Sequence, residues 1–463
     1  MVEASGRPRV PVAGFAGLMG YSNRDVTAPV GIRNRNWGAA TSDIAVGVHR
    51  PLEVSALVLA DRGQKQLFLL ATWDNCMWYR ADDWYSFQAR VLEELGLAEN
   101  QFVINLSHTH SGVHTCSTSI GLAGGAGLLA YMDSVATAVI EAARDAIAGL
   151  RRGTIEWTAG HSEVAANRDL LLDGEALVGW NPSEVADPTV LVGRLTLEDG
   201  SPFATLVNYA CHGTTLGPEN LLLSPDYVGA LRETVKWGTG APCVFFQGSS
   251  GDTAPREQYS GDTSLADRHG RAIGYAVLAA LETLPPPGTD LALTTVVESG
   301  APLAYWTPQP ATRSGALSVE KHLTTLPLRA LSTMEDLEHE WAEILPQSRD
   351  ERLRRARNLR DGYIDLENRP DSVDHQLWVA RIGDALLVAH PGETYNWFQV
   401  ELRRRFPGVP VLVLGNSNGG GHVYLPDARA YERNTYPAWQ TVLGEGSLEM
   451  LADAATEALR RLP

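Results

Sequence analysis

Short apolar runs rich in β-branched residues recur along the chain, each closed by polar or glycine-containing turns. They are SALVLA (55–60), QLFLLAT (66–72), QFVINLS (101–107), FATLVNYA (203–210), APCVFFQG (241–248), QLWVARIG (376–383), ALLVAH (385–390) and PVLVLGNS (410–417). Runs of this length between turn formers predict strands buried on both faces. Between them the apolar spacing changes to the three-to-four repeat of an amphipathic helix. Helices are predicted over 134–150, 226–237, 263–284 and 447–462, with a pair over 334–360 broken near Pro346. Strands alternating with helices predict an α/β fold: a single large domain over 1–463, with a mixed, partly parallel central sheet flanked by helices. The polar segment 300–370 is expected to be a helical insertion covering that sheet.

Composition narrows the function classes. The chain has 463 residues, 44% hydrophobic and 20% charged, enough for a substantial core and unlike a disordered chain. Its net charge is −17 and no basic block stands out, so no nucleic-acid partner is expected. ERLRRARNLR (351–360) has helical spacing and acidic neighbours, and reads as a solvated helix face. No run of about 18 apolar residues predicts an integral membrane segment. MVEASGRPRVPVAGFAG at the start lacks the apolar stretch of a signal peptide, so a cytoplasmic protein is expected. Cys76, Cys116, Cys211 and Cys243 show no C-x-x-C spacing and read as buried free thiols.

Candidate chemistry collects in five turns: INLSHTHSG, LVNYACHGTT, VFFQGSSGDTAPR, LLVAHPGET and LVLGNSNGGGHVY. Each follows an apolar strand, and in α/β sheets ligands bind beyond the carboxyl ends of strands. His108 and His110, two apart on an extended segment, point to one face. That spacing suits zinc, and equally a pair of satisfied polar residues closing a strand. Ser111-Gly112 stands where the metallo-β-lactamase pattern would carry its acid, which argues against that fold. His114 reads as a turn residue, His212 as a core or cap histidine, and His390 as structural. Glu393 follows a buried strand, so its carboxylate must be paired, exposed or metal-bound. Tyr424 and Tyr436 read as packed tyrosines with wet hydroxyls, and STSIGLAGGAG (117–127), with its glycines, as a lid over the pocket together with segment 300–370. G-S-S-G within FQGSSGDT (246–253) is one residue short of a serine-hydrolase elbow.

Together these blocks resemble the catalytic domain of the neutral, non-lysosomal ceramidase family. SHTHSG (107–112), CHGTT (211–215), GDTAPR (251–256), HPGET (390–394) and YLPDARAY (424–431) with Tyr436 match that family's T-H-T-H-S-G-P, H-G-T, G-D-x-S-P-N, P-G-E and tyrosine blocks in order. MGYSN (19–23), DVTAPVG (25–31) and SPDYVGALR (224–232) are similar to further blocks, so the resemblance runs from about residue 10 to the end. The family's C-terminal immunoglobulin-like domain is not expected, because the chain stops after the last helix.

The resemblance implies zinc (Zn2+) held by His108, His212, Glu393 and Tyr424, two imidazoles, a carboxylate and a phenol being suitable donors. Zinc would acidify a bound water and polarise the substrate carbonyl. His110 would shuttle protons with a near-neutral pKa. Arg168, in AANRD (165–169), and Tyr436 would stabilise the oxyanion. The chain departs from the family at Val113, at Arg256, and at Ala254, where the family has a serine. Loss of that hydroxyl removes a serine nucleophile and leaves metal-bound hydroxide. The expectation is a zinc-dependent hydrolase of a linear, N-acyl amine type amide from specialised metabolism, acting on a small-molecule substrate other than ceramide. Acyl transfer, amide formation, ester or lactone processing, and an inactive ligand-binding relative are the alternatives.

Overall fold

The computed structural model describes residues 7–363, 371–419 and 423–463. Residues 364–370 of the polar segment, and Gly420, Gly421 and His422 of the glycine-rich turn, lie outside the described residues.

Twelve strands carry the architecture. They are β1 (Gly14–Asp25), β2 (Glu53–Ala60), β3 (Leu67–Trp73), β4 (Phe102–Leu106), β5 (Arg151–His161) and β6 (Thr189–Leu197). Then come β7 (Pro202–Tyr209), β8 (Cys243–Gln247), β9 (Leu317–Pro327), β10 (Ser372–Ile382), β11 (Ala385–Ala389) and β12 (Val411–Leu414). The first eight form one mixed sheet in the order β8-β7-β6-β5-β1-β2-β3-β4. Only its two edge pairs, β7 with β8 and β3 with β4, are parallel. The last four form a second sheet, β9-β10-β11-β12, with β11 and β12 parallel.

The two sheets pack face to face. Phe15, Leu57, Leu206 and Phe246 of the large sheet share one core with Trp378, Leu387 and Leu414 of the small one. The outer faces are covered by helices. Helices α1 (Ala81–Leu95) and α2 (Leu128–Ala148) pack on β2 and β3. Helices α3 (Tyr227–Thr239) and α4 (Thr263–Leu281) pack on β6 to β8. With both faces of most strands buried, continuous apolar runs are what the layers require.

The segment 300–370 is not wholly helical as expected. Pro302–Pro310 is a strand and β9 another, followed by helices α5 (Met334–Glu340) and α6 (Pro346–Tyr363). Strand β9 is at the edge of its sheet, and its burial alternates at the start, so polar residues interleave with apolar ones and the segment reads as polar. Pro346 begins α6, where its missing N–H costs nothing. Four further helices complete the chain: α7 (Trp397–Arg405), α8 (Ala428–Glu432), α9 (Tyr436–Gln440) and α10 (Ser447–Arg461). Of these, α7 and α10 cover the outer face of the small sheet. Among the described residues no helix is long and apolar enough to cross a membrane.

Buried asparagines bring the strand ends together. Asn105, at the end of β4, accepts from Gln247 N–H of β8 at 2.7 Å and donates to Gly415 O (2.5 Å) and Ser417 Oγ (3.1 Å) beyond β12. Asn208 of β7 donates to Val413 O of β12 at 2.9 Å. Asn418 accepts from Ile104 N–H at 2.8 Å and donates to Phe102 O at 3.0 Å, acting as a neighbouring strand would toward β4. These amides join the two edges of the large sheet to the small one. The turns after β4, β7, β8, β11 and β12 therefore meet at one place.

Candidate metal centre

His108 follows β4 and His212 follows β7, while Glu393 follows β11 after a Pro-Gly turn. All three are buried, at 1%, 0% and 3% exposure. Glu393 Oε2 lies 3.0 Å from His212 Nε2 and 3.3 Å from His108 Nε2. Apart from one another, these three atoms have no hydrogen-bond partner. Both imidazoles are held from behind: His108 Nδ1 lies 2.7 Å from Cys76 O, and His212 Nδ1 lies 2.6 Å from Ser250 O and 3.0 Å from Thr253 O. Carbonyls accept only, so each Nδ1 carries the hydrogen. In a neutral ring that leaves Nε2 with its lone pair facing the carboxylate, the arrangement that metal-binding histidines use.

The charges agree with a site built for a cation. Burial opposes the charged form of His108, but the Glu393 carboxylate beside it prevails and lifts it to about 10. Burial likewise opposes ionisation of Glu393, and His108 overrides it, holding the carboxyl well below its ordinary range. Burial, then Arg168, pushes His212 down to about 3. One proton between carboxylate and imidazoles thus does what a cation would do, and metal binding would displace it. Donors at about 2.0–2.1 Å around tetrahedral zinc are separated by about 3.3 Å, close to the distances found here.

His110 lines the same cavity, its ring 5.1 Å from that of His108 and 4.7 Å from that of Trp37. Neither of its ring nitrogens has a hydrogen-bond partner. Contrary to the near-neutral expectation, its pKa is pushed well below the ordinary value, first by burial and then by the charge on His108. The strand argument for the pair also fails: β4 ends at Leu106, and His108 has φ +61°, a left-handed conformation. Tyr424 is the bridge partner of Glu393, and its hydroxyl accepts from Arg168 Nη2 at 3.1 Å. Arg168 does not line the cavity. Its Nε and Nη2 also donate to Gly251 O, so it reaches the site through Tyr424. Tyr436, the first residue of α9, lies 5.7 Å from Tyr424, ring to ring, and lines the cavity.

The remaining sequence candidates lie elsewhere. His114 packs on Tyr79 at 4.2 Å, and His390 Nδ1 lies 2.9 Å from Pro391 O. Ala254 is buried in a short strand pair with Ala166 and does not line the cavity. Ser249 accepts from Thr394 Oγ1 and Ser250 from Gln247 Nε2, which gives neither a histidine base. The segment 117–127 does not line the cavity either, although Thr118 Oγ1 donates to Asn358 Oδ1 of α6 at 3.1 Å. A Cβ at Gly125 would lie 2.1 Å from Ser119 O, so this glycine permits tight packing. Sequence reasoning missed Cys76, whose carbonyl orients His108, and Trp37 under His110. Their roles depend on contacts between segments distant in the chain.

No family model matches the chain, and no curated protein does. Solved structures do. The chain is similar to a ceramidase complexed with C2, at 16% identity, and to neutral ceramidase from Pseudomonas aeruginosa, at 17%. In both cases the TM-score is 0.67, and the match covers 98% of this chain and 76% of the other. At that identity the likeness is one of fold, and the chain has the fold of the neutral ceramidases.

Proposed function

We propose that this protein is a zinc-dependent hydrolase of linear amides, with His108, His212, Glu393 and Tyr424 holding the ion. The observation that supports it most is the meeting of three buried donor atoms, His108 Nε2, His212 Nε2 and Glu393 Oε2, with no partner but one another, beside the main cavity. Two imidazoles with carboxylate and phenol oxygens suit zinc better than magnesium or calcium, which prefer all-oxygen sites. A bound ion would polarise the amide carbonyl and acidify a water next to it.

The chain's own groups do the rest. His110 has two ring nitrogens without a partner at the cavity, so it would accept a proton from the attacking water and pass it to the leaving amine. Tyr436, at the cavity wall, donates to the developing oxyanion. Arg168 fixes Tyr424 by its hydrogen bond and is itself anchored on Gly251 O. The Cys76, Ser250 and Thr253 carbonyls hold the two imidazoles in the required tautomer.

The test is metal content by mass spectrometry together with hydrolysis of a panel of N-acyl amines. Wild type is expected to carry about one zinc per chain and to release amine. His212→Ala and Glu393→Gln are expected to lose zinc and activity together. A wild type with no metal affinity, or full hydrolysis in either variant, overturns the reading.

A further inference from the structure

The cover of the cavity carries more positive charge than its own carboxylates balance. Arg329, Arg352, Arg355 and Arg360 line it, against Glu340, while Glu393 belongs to the floor and faces His108 and His212. Arg355 has a partner of its own, since its Nε donates to Glu351 at 3.1 Å. Arg329 donates to Ala438 O, and Arg360 to Ala356 O and Ser332 O. Carbonyls solvate a guanidinium without neutralising it. Among the described residues Arg329, Arg352 and Arg360 have no ion-pair partner. Arg360 is only 8% exposed, and burial pulls its pKa below the ordinary value. Asp361 acts on Arg360 only through space and against the larger effect of burial, so a bound anion would relieve part of the cost of burying this cation.

Arg352 is also held ready. Its guanidinium carbon sits 4.9 Å from the Trp439 ring centroid and 5.8 Å from that of Trp341. Contact with ring faces fixes the guanidinium while its edge N–H groups stay free for a planar anion. Ring contacts connect it to the metal centre: Trp439 to Tyr436 at 5.1 Å, then Tyr436 to Tyr424 at 5.7 Å. The chain as a whole is at −17, so a cationic cavity is not the by-product of a basic protein. The cavity is also small, about 170 Å³, against roughly 300–1,000 Å³ for the usual ligand pocket.

Resting on the amide-hydrolase reading, we infer that the substrate is a short amide carrying an oxyanion group, a carboxylate or a phosphate, which Arg352 and Arg360 bind away from the scissile bond. This sets the substrate apart from an uncharged lipid amide.

The test is titration calorimetry at low salt, where charge attraction is least screened. The probes are neutral N-hexanoylethanolamine, its phosphate monoester, N-hexanoylglycine and N-hexylsuccinamate. At least one charged probe is expected to bind wild type about ten-fold or more tighter than the neutral one. Which one does so tells phosphate from carboxylate, and the amine half from the acyl half. In Arg352→Gln and Arg360→Gln that preference is expected to fall to about three-fold or less, with zinc content unchanged. Arg352 is only half-buried, so its variant keeps the test decisive should Arg360→Gln fail to fold. Equal affinity for all four probes, no binding of any, or a preference retained in every folded variant overturns the inference. A charge preference in a protein without zinc or turnover leaves the anion site standing and removes the hydrolase reading. Turnover of the neutral probe with no charge preference does the reverse.

Discussion

The floor and the cover of the cavity are built differently. In the floor, His108, His212 and Glu393 are almost fully buried on turns that follow strands directly. Backbone carbonyls hold the imidazoles, and the buried amides of Asn105, Asn208 and Asn418 hold the strands beneath. In the cover, Arg352, Tyr436 and Trp439 are half-exposed and are held largely by ring contacts between helices. The floor has its geometry fixed by backbone partners, which donors proposed to meet at one ion would require. The cover can change side chains without moving the sheets, which suits it to the substrate selection proposed for its arginines.

The largest effects should separate the two regions. Asn105→Ala strands the Gln247 N–H in a dry interior, at about 1–3 kcal/mol, and leaves the Gly415 carbonyl only its bond from Ser417 Oγ at 3.2 Å. We expect about 2 kcal/mol less stability in urea unfolding, with zinc lost alongside. Tyr436→Phe, in the cover, should leave unfolding and zinc content unchanged and lower kcat by about 10²–10³. A Tyr436→Phe protein that loses zinc, or an Asn105→Ala protein as stable as wild type, breaks the division.

Acid and base should also act on the two regions in opposite directions. Asp252, in the floor, accepts from Asn396 N–H at 2.6 Å, and its carbonyl accepts from Arg168 N–H at 2.9 Å. Burial, then the nearby Asp169, raises its pKa to about 7. The folded state therefore holds this proton more tightly than the unfolded chain does. Its contribution is complete below about pH 4 and is lost as pH rises towards 7, at no more than about 1.4 kcal/mol per pH unit. Glu351, under the cover, is lowered: burial opposes ionisation, but Arg355 prevails. Its contribution is present above the ordinary carboxyl range and is lost as pH falls below it. Urea unfolding at pH 5, 6 and 7 should show the Asp252 slope, and Asp252→Asn should flatten it. An unchanged slope in the variant rules out Asp252 as its source.

The same contrast explains what could be read in the sequence. The floor was legible because its strands are buried on both faces, and a buried run that ends in histidine or glutamate is conspicuous. The convergence of the five turns was less so, since it depends on single asparagines such as Asn105 that look like any polar residue at a strand end. Strand β1 was hidden by its glycines. A Cβ at Gly20 would meet Ala146 O of α2 at 1.8 Å, so close helix packing selects the residue that weakens the strand pattern. The left-handed φ of His108 was invisible to a period-two argument, which placed it beside His110 for the wrong reason. In the cover, an arginine-rich helix read as a solvated face because spacing does not reveal that Arg360 turns inward and Arg352 meets two tryptophans.

Segment 117–127 gives the smallest effect and a direct check on where motion is located. Glycines suggested a lid, yet they serve two different purposes. Gly125 lets the chain fold back on Ser119, and a Cβ there would come within 2.1 Å of Ser119 O and 2.9 Å of Ile120 O. Gly121 has nothing within 4 Å of its Cβ position and no left-handed φ. Gly125→Ala should therefore cost about 1–3 kcal/mol through a backbone clash, whereas Gly121→Ala should stay within about 0.5 kcal/mol of wild type. Gly121→Ala should also leave kcat unchanged, because the segment does not line the cavity on which His108 and Glu393 sit. A several-fold fall in kcat for Gly121→Ala at unchanged stability would return this segment to the catalytic cycle as a moving part. It would also mean that the cover extends beyond the helices and arginines that now define it.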